Sequence, residues 1–418
     1  MMRDTTLNMR LHFLAGGMII LVLAMARPVF SELPHSSAPT FGGASSVGGT
    51  LKKDAAAQPS ALKPYFDFKS RVEENIGLAF GFDYNALFQA ATDSLGADNA
   101  AGGALRMFGR WGLVGNESVK TGTLVYKVEN RHKLGTEVTP QSFGAEIGYI
   151  GLTAIPFSDI DWALTNLFWE QHLLRNRLAF VAGIVDVTDY VDVFGMVSPW
   201  TAFSNLAFST NPTIPAPNQG LGVAASVFLT DNFYVLGGLA DANGDPTDPG
   251  DSFDSFFNIS EYFSHIEFGW VSSYKKRYSD NIHLTAWHAD ERELAGTPDG
   301  WGVAFSFSHL IKETWEPYLR AGYADDGGAL WDRMISIGVG YNTGRQTDQL
   351  GLGVNWGRPS EQSYGSDVND QYTVELFYRL QLGRLLAVTP DVQVLFNPAE
   401  NPEEDSIVVF GLRVRLSF

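Results

Sequence analysis

Charged side chains recur at every second position in several short stretches of this chain. Arg106 and Arg110 lie either side of Phe108, and Lys127, Glu129 and Arg131 keep the same beat. Glu375 and Arg379 flank Phe377, and Arg413 precedes Arg415 by two. A spacing of two puts such residues on one face of a β-strand. Guanidinium, ammonium and carboxylate groups interleaved with rings offer a polar solute charge-assisted hydrogen bonds and stacking faces. The plainer reading is a wetted wall whose charges brace one another. Enzymatic chemistry finds less support. The eight His residues form no HExxH pair, and nothing in the spacing joins His283, His288 or His309 to a nucleophile. Asp241-Ala242-Asn243-Gly244-Asp245 and Asp248-Pro249-Gly250-Asp251 look faintly like calcium loops but lack the full EF-hand spacing. The chain has no Cys, which removes disulfides and thiolate metal sites. No catalytic residue, metal or cofactor is expected.

The elements that must carry these charges are strands with two different faces. In Thr123–Arg131, Leu124, Tyr126 and Val128 oppose Lys127, Glu129 and Arg131. In Tyr372–Leu380, Tyr372, Val374, Leu376, Tyr378 and Leu380 oppose Thr373, Glu375, Phe377 and Arg379. Trp301–Ser308, Met334–Tyr341 and the stretch from Leu350 to Trp356 set bulky apolar residues against Gly, Ala, Ser and Asn. At the end of the sequence Phe410, Leu412, Val414, Leu416 and Phe418 oppose Gly411, Arg413, Arg415 and Ser417. A packed soluble core tolerates charges badly, whereas a water-filled barrel accepts both charged and small residues inside and apolar ones toward lipid. Tyr and Trp closing the apolar faces match an interfacial girdle.

Composition supports this class. There are 43 Gly, 29 Phe, 15 Tyr and 10 Trp in 418 residues, many for a globular enzyme. A mean hydropathy of −0.05 argues against a bundle of membrane helices. The net charge of −18 makes nucleic acid an improbable partner. Arg3 and Arg10, an apolar run over Leu11–Leu23 and Ala24-Met25-Ala26 read as a cleaved signal peptide over residues 1–26. Residues 27–70 are rich in Pro, Gly, Ser and Ala and read as a flexible leader. The barrel is expected over residues 71–418.

Strands recur roughly every 20 residues, the length of a ~10-residue membrane strand plus its connection. Seventeen segments qualify. Bacterial barrels close with an even number, so Phe143–Thr153, Gly-rich and followed by Ile155-Pro156-Phe157, is assigned to a loop. The fold class is therefore all-β, a transmembrane antiparallel β-barrel of about 16 strands. The last strand is expected to seal against one near Gly77–Tyr84. About 35 residues separate Leu178–Val185 from Leu221–Leu229. They are aromatic-rich and hold Asp186, Asp192, Trp200, Phe203 and Phe208. The place for them is the lumen, where they would constrict the channel.

Over roughly residues 71–418 the chain resembles the carbohydrate-selective porins of the OprB type. The likeness is carried by the order and spacing of Trp169-Glu170-Gln171, Gly183-Ile184-Val185-Asp186, Tyr190 and Asp192-Val193-Phe194. Phe203-Ser204-Asn205, Phe208, the Pro-rich passage to Gly220-Leu221-Gly222, Glu375-Leu376-Phe377-Tyr378-Arg379 and Thr389-Pro390-Asp391-Val392-Gln393 with Asn397-Pro398 continue it. The resemblance implies a bacterial outer-membrane channel passing small sugars by diffusion through a constricted, water-filled pore. It leans toward a monomer in outer-membrane lipid, with a trimer as the alternative. Pore-lining and sugar-contact candidates are Arg106, Arg110, Lys127, Glu129, Arg131, Trp169, Glu170, Asp186, Asp192, Arg320, Glu375 and Arg379. Glu170 and Arg106 are the preferred contacts, and Trp169, Trp200 or Phe203 the ring donors. The competing functions are a general or anion-preferring porin and, behind it, an outer-membrane enzyme.

Overall fold

A computed structural model describes residues 41–54, 62–115, 120–343, 348–383 and 385–418. The signal-peptide reading of residues 1–26 lies outside the described residues. The strands run β1 Leu78–Ala91, β2 Asn99–Gly115, β3 Lys120–Lys133, β4 Asp161–Leu173, β5 Leu178–Val185, β6 Gly220–Phe228, β7 Phe233–Asp241 and β8 Tyr262–Val271. They continue as β9 Asn281–Ala289, β10 Gly300–Ser308, β11 Trp315–Asp326, β12 Trp331–Asn342, β13 Gln349–Pro359, β14 Gln371–Leu382, β15 Leu386–Phe396 and β16 Ser406–Ser417. Each pairs antiparallel with its sequence neighbours, and β1 pairs with β16, so the sheet closes. The expected even-numbered barrel of sixteen strands is borne out. Phe143–Thr153 is indeed no strand, and holds the one-turn helix Phe143–Glu146.

Closure falls where the alternation placed it. Asp83 faces Ser417 and Ala86 faces Val414 in register. Phe82 and Phe418 exchange backbone hydrogen bonds of 3.2 and 2.9 Å, and their rings stack at 4.9 Å. Strand parity sorts the side chains as expected. Phe410, Leu412, Ile335, Ile337, Leu352 and Val354 are exposed on the outside, while Arg413, Arg320, Glu375, Asn355 and Ser336 are buried inside. With each Arg worth about 2–4 kcal/mol against facing mid-membrane lipid, this division fixes the register against a one-residue slip.

Part of the lumen is packed rather than wet. The β5–β6 connection folds inward and buries Phe194, Phe203 and Phe208 against Tyr318, Met334 and Phe377 of the wall. Phe203 packs on Phe208 at 5.0 Å and on Phe377 at 4.9 Å. The β3–β4 connection also turns inward. Tyr149 Oη lies 3.0 Å from Thr373 Oγ1, and Trp331 Nε1 donates to the Ile150 carbonyl at 2.7 Å. The lumen thus holds two loops where the sequence pointed to one.

The leader reading needs correction. Residues 41–54 enter the lumen, and α1, Val47–Asp54, packs against β1, β2 and β3. Val47 is buried with Phe108 and Val125. A low-hydrophobicity segment cannot build its own core, but here the barrel supplies one ready-made. Glycine admits the segment: a Cβ on Gly43 would come within 2.1 Å of Val193 Cγ1, and Gly42 holds φ +99°. Across the expected boundary at residues 70 and 71 runs a second helix, α2, Lys63–Ile76. It ends on Gly77 in the left-handed conformation (φ 74°). Tyr65 and Phe68 pack on Phe82 and Phe80, the outward side of β1, and Trp111 Nε1 donates to the Ile76 carbonyl. The barrel proper starts at Leu78.

Candidate functional site: the lumenal cavity

Beside the packed part of the lumen lies a cavity of about 790 Å³. β3 supplies Lys127, Glu129 and Arg131 to it, β11 supplies Arg320, and the inward loop supplies Asp186, Asp189, Asp192 and Trp200. Pro212, Pro215 and Pro217, whose ring-locked φ stiffens the returning limb, lie along one side with Asn211, Asn218 and Gln219. Asn243, Asp245 and Arg292 from the β7–β8 and β9–β10 connections stand at the mouth.

Most charges in this lining are paired, Arg292 and Asp245 being held by neutral partners instead. Lys127 Nζ sits 3.7 Å from Asp189, 3.8 Å from Asp186 and 3.9 Å from Glu129. Arg131 Nε donates to Glu129 at 2.7 Å. Asp186 accepts from the Thr188 amide at 3.1 Å and from Gln219 Nε2 at 2.9 Å, which fixes the loop's first turn. Asp192, at φ +52°, ion-pairs with Arg320 and lies 3.0 Å from His283 Nε2, while its amide donates to Glu267 at 2.9 Å. Four cations (Lys127, Arg131, Arg292, Arg320) meet five carboxylates (Glu129, Asp186, Asp189, Asp192, Asp245). The field across the cavity is nearly balanced, although the chain as a whole is acidic. Asp245 accepts from the Thr247 hydroxyl at 2.6 Å and amide at 2.8 Å. These bonds hold its carboxyl below the ordinary range.

The remaining candidates divide by what they touch. Glu375 accepts from the amides of Ser204 and Asn205, and Arg379 donates to the Thr201 carbonyl at 2.6 Å. Both anchor the inward loop. Arg106 ion-pairs with Asp83, which Arg415 also reaches at 2.9 Å, and its guanidinium lies 4.1 Å above the Trp200 ring. Arg106 therefore orients a ring of the cavity wall. Arg110 bonds Glu170 at 2.7 Å, His172 Nε2 lies 2.7 Å from the same carboxylate, and the Phe41 amide completes its partners. Glu170, the preferred solute contact, is thus held by Arg110, His172 and the N-terminal segment, and does not line this cavity. Trp169 does not face the lumen. It pairs across the sheet with Leu124 and Ala182, one residue out of phase with inward Glu170, and so points outward. Phe203 is sealed in the loop core.

Sequence reasoning missed Asp83, Asp189, Asn211, Gln219, Asn243, Asp245 and Arg292. Asp189 was readable, because Asp186, Asp189 and Asp192 repeat at three. Asn243 and Asp245 stand in the sequence only as part of a faint calcium-loop likeness. Asp241 is engaged by Ser255 Oγ at 2.7 Å and Asn243 Nδ2 by Glu261 at 2.6 Å, and among the described residues no group of three His, Asp or Glu is placed to hold a metal.

A family model described as carbohydrate-selective porin, OprB family, matches residues 128–298 and 292–418. This chain belongs to that family. The OprB-family barrel is thus a carbohydrate-selective porin, a channel of the outer membrane. No curated protein matches its sequence. Among solved structures it is similar to the high-pH structure of Pseudomonas putida OprB, with a TM-score of 0.65 at 15% identity over 85% of this chain and 97% of that one. The low-pH structure of the same protein gives 0.51 at 12% identity over 93% and 100%. A mutant Rhodopseudomonas blastica porin gives 0.50 at 12% identity over 82% and 100%. At these identities the structural likeness concerns the fold of the porin.

Proposed function

We propose that sugars cross this porin through the 790 Å³ cavity, and that its mutually paired charges are what favours them. The observation that carries this is Lys127 held among Glu129, Asp186 and Asp189 in a cavity that Trp200 also lines. A neutral polyol exchanges hydrogen bonds with such a lining at little cost, because Lys127, Arg131 and Arg320 keep their counter-ions as the solute passes. An ion gains little from a balanced field. Trp200 offers a face for the apolar side of the ring, and Asn211, Asn218 and Gln219 supply neutral donors and acceptors. Contacts of this type are weak and multiple, as release from a pore demands.

Arginines do not by themselves make the pore anion-preferring. Arg320 and Arg379 each bind carbonyls of the inward loop, at 3.1 Å to Phe208 and 2.6 Å to Thr201. Arg413 does the same at 2.6 Å to Pro199. These cations support structure, and five carboxylates offset the lining cations. The chain acts as a passive channel rather than an enzyme. It is exported behind a signal peptide over residues 1–26, and works as a monomer in outer-membrane lipid.

Single-channel recording in planar bilayers tests the reading. Glucose at millimolar concentration should produce saturable block of the ion current, with gluconate and glucosamine, its charged relatives, blocking less. Equal block by all three, or none by glucose, would sink it.

A further inference from the structure

The lumenal segment Phe41–Val47 stands between two cavities. Ser45 lines the large outer one. Phe41 and Gly42 line an inner one of about 60 Å³, at the barrel end that carries Asn176, Arg177 and the turn Tyr274–Tyr278. That is the short-turn end, the periplasmic side of an outer-membrane barrel. The segment is seated closely: only about 10 Å³ remains between Phe41, Ser46, Val47, the wall at Asn166 and Glu170, and Asp189 of the inward loop. Gly43 donates its amide to the Asp189 carbonyl at 2.8 Å, and the Phe41 amide bonds the Glu170 carboxylate. The Phe41 ring meets Tyr190 edge-on at 5.3 Å.

The inner cavity has its own recognition chemistry. Arg277 lies 4.3 Å from the Tyr274 ring and 4.6 Å from that of Tyr278. Tyr234 Oη donates to Glu267 at 2.7 Å, and Glu267 also borders the cavity. Aromatic faces beside a guanidinium and a carboxylate suit a pyranose, which needs a stacking plane and bidentate partners for adjacent hydroxyls. As it stands the space holds about two waters at ~30 Å³ each. A hexose needs the volume that Phe41 now fills.

We propose that Phe41–Val47 is a removable stopper of the conduction path, and that the pocket it fills is a second sugar subsite, at the periplasmic exit, where the Phe41 ring stands in for a pyranose. The subsite rests on the sugar reading above; the stopper does not. The seat is suited to reversible release. It uses two backbone hydrogen bonds and small apolar contacts, and glycines that keep the segment slim. Sugar arriving at the exit and the segment compete for the same aromatic walls.

The chain has no Cys, so an engineered pair can fix the segment without competition. An ideal Cβ on Gly43 lies 3.3 Å from Val193 Cβ, near the ~3.8 Å of natural disulfides. The full-length variant Gly43→Cys/Val193→Cys is recorded in bilayers oxidised and then reduced, alongside a chain lacking residues 41–52. The oxidised channel should keep the wild-type unitary conductance. Reduction, which leaves two unbonded thiols crowded on Cβ positions only 3.3 Å apart, and the deletion should both raise it by about twofold or more. In the reduced channel, Tyr274→Ala should weaken glucose block by about tenfold, and in the oxidised channel it should not. Conductance indifferent to both redox state and deletion overturns the stopper, even if glucose still permeates. Redox-dependent conductance without glucose block in any variant supports the stopper and overturns the subsite together with the sugar reading. Redox-dependent conductance with glucose block that ignores Tyr274→Ala overturns the subsite alone.

Discussion

Arg413, on the last strand, donates a hydrogen bond of 2.7 Å to the carbonyl oxygen of Ala202, in the middle of the inward loop. The same guanidinium reaches the Pro199 carbonyl at 2.6 Å and Ser204 Oγ at 3.0 Å. From the adjoining side Glu375 accepts from the Ser204 and Asn205 amides. A loop turned away from water has backbone groups that need partners, and here charged side chains of the wall provide them.

Replacing Arg413 with Leu should therefore loosen the constriction rather than merely change its charge. Each buried acceptor left unpaired costs about 1–3 kcal/mol. The variant should show noisy, flickering single-channel current, and its folded gel band should convert to the unfolded one at lower temperature. Arg413→Lys should fall between, since an ammonium cannot span the same fork of carbonyls. Steady current and unchanged heat-modifiability in Arg413→Leu would mean that the loop is held by its aromatic core alone.

Lys127 makes the opposite kind of contribution. It is the cation nearest three carboxylates of the cavity, with Asp189 at 3.7 Å. Lys127→Gln leaves three cations against five acids in the lining. The reversal potential in a KCl gradient should move toward cation preference, with the permeability ratio rising about twofold. The same change should reduce glucose block, because uncompensated carboxylates hold ions that the sugar must displace. An unaltered reversal potential would place the conduction path away from β3.

The barrel was legible because alternation is a local signal repeated sixteen times, and the even-number rule removed the one surplus strand. The buried charges of β3, β14 and β16 follow the same parity. It could not say which of them meet solute. Glu375, Arg379 and Arg413 look like Lys127 in sequence, yet they serve loop carbonyls, a fact set by where a distant loop comes to rest. Trp169 adjoins inward Glu170 in the sequence yet faces outward, because adjacent strand residues alternate. The lumenal seat of Phe41–Val47 left no mark in composition, since its apolar partners Phe108 and Val125 belong to the wall.

Asp245 allows a pH test at the cavity mouth, outside the strands. Its carboxyl is held below the ordinary range by the Thr247 hydroxyl and amide. A depressed carboxylate keeps its charge as pH falls through the usual carboxylate range and loses it only below. Thr247→Val removes the hydroxyl bond and should bring the titration back toward the ordinary value. The acid-side loss of cation preference should then begin at higher pH in the variant than in the parent chain. Coincident pH profiles of the reversal potential would show that Asp245 does not contribute to the field felt by ions.

Two tryptophans separate the sugar path from the wall that surrounds it. Trp200 borders the cavity and carries the Arg106 guanidinium at 4.1 Å on one side, with the Phe157 ring at 5.6 Å. Arg106 is itself pinned by Asp83, so the indole is held in a fixed plane, as a stacking platform must be. Trp169 sits on β4 facing outward, with its Nε1 donating to Gln171 at 3.2 Å. Trp200→Ala should weaken glucose block by about tenfold, the equivalent of ~1.4 kcal/mol of lost ring contact, and should raise unitary conductance by widening the cavity. Trp169→Ala should leave both unchanged while lowering barrel stability modestly through lost outward packing. If the two variants behaved alike in glucose block, the ring contact would not lie at Trp200, and the path would have to be sought elsewhere along the lumen.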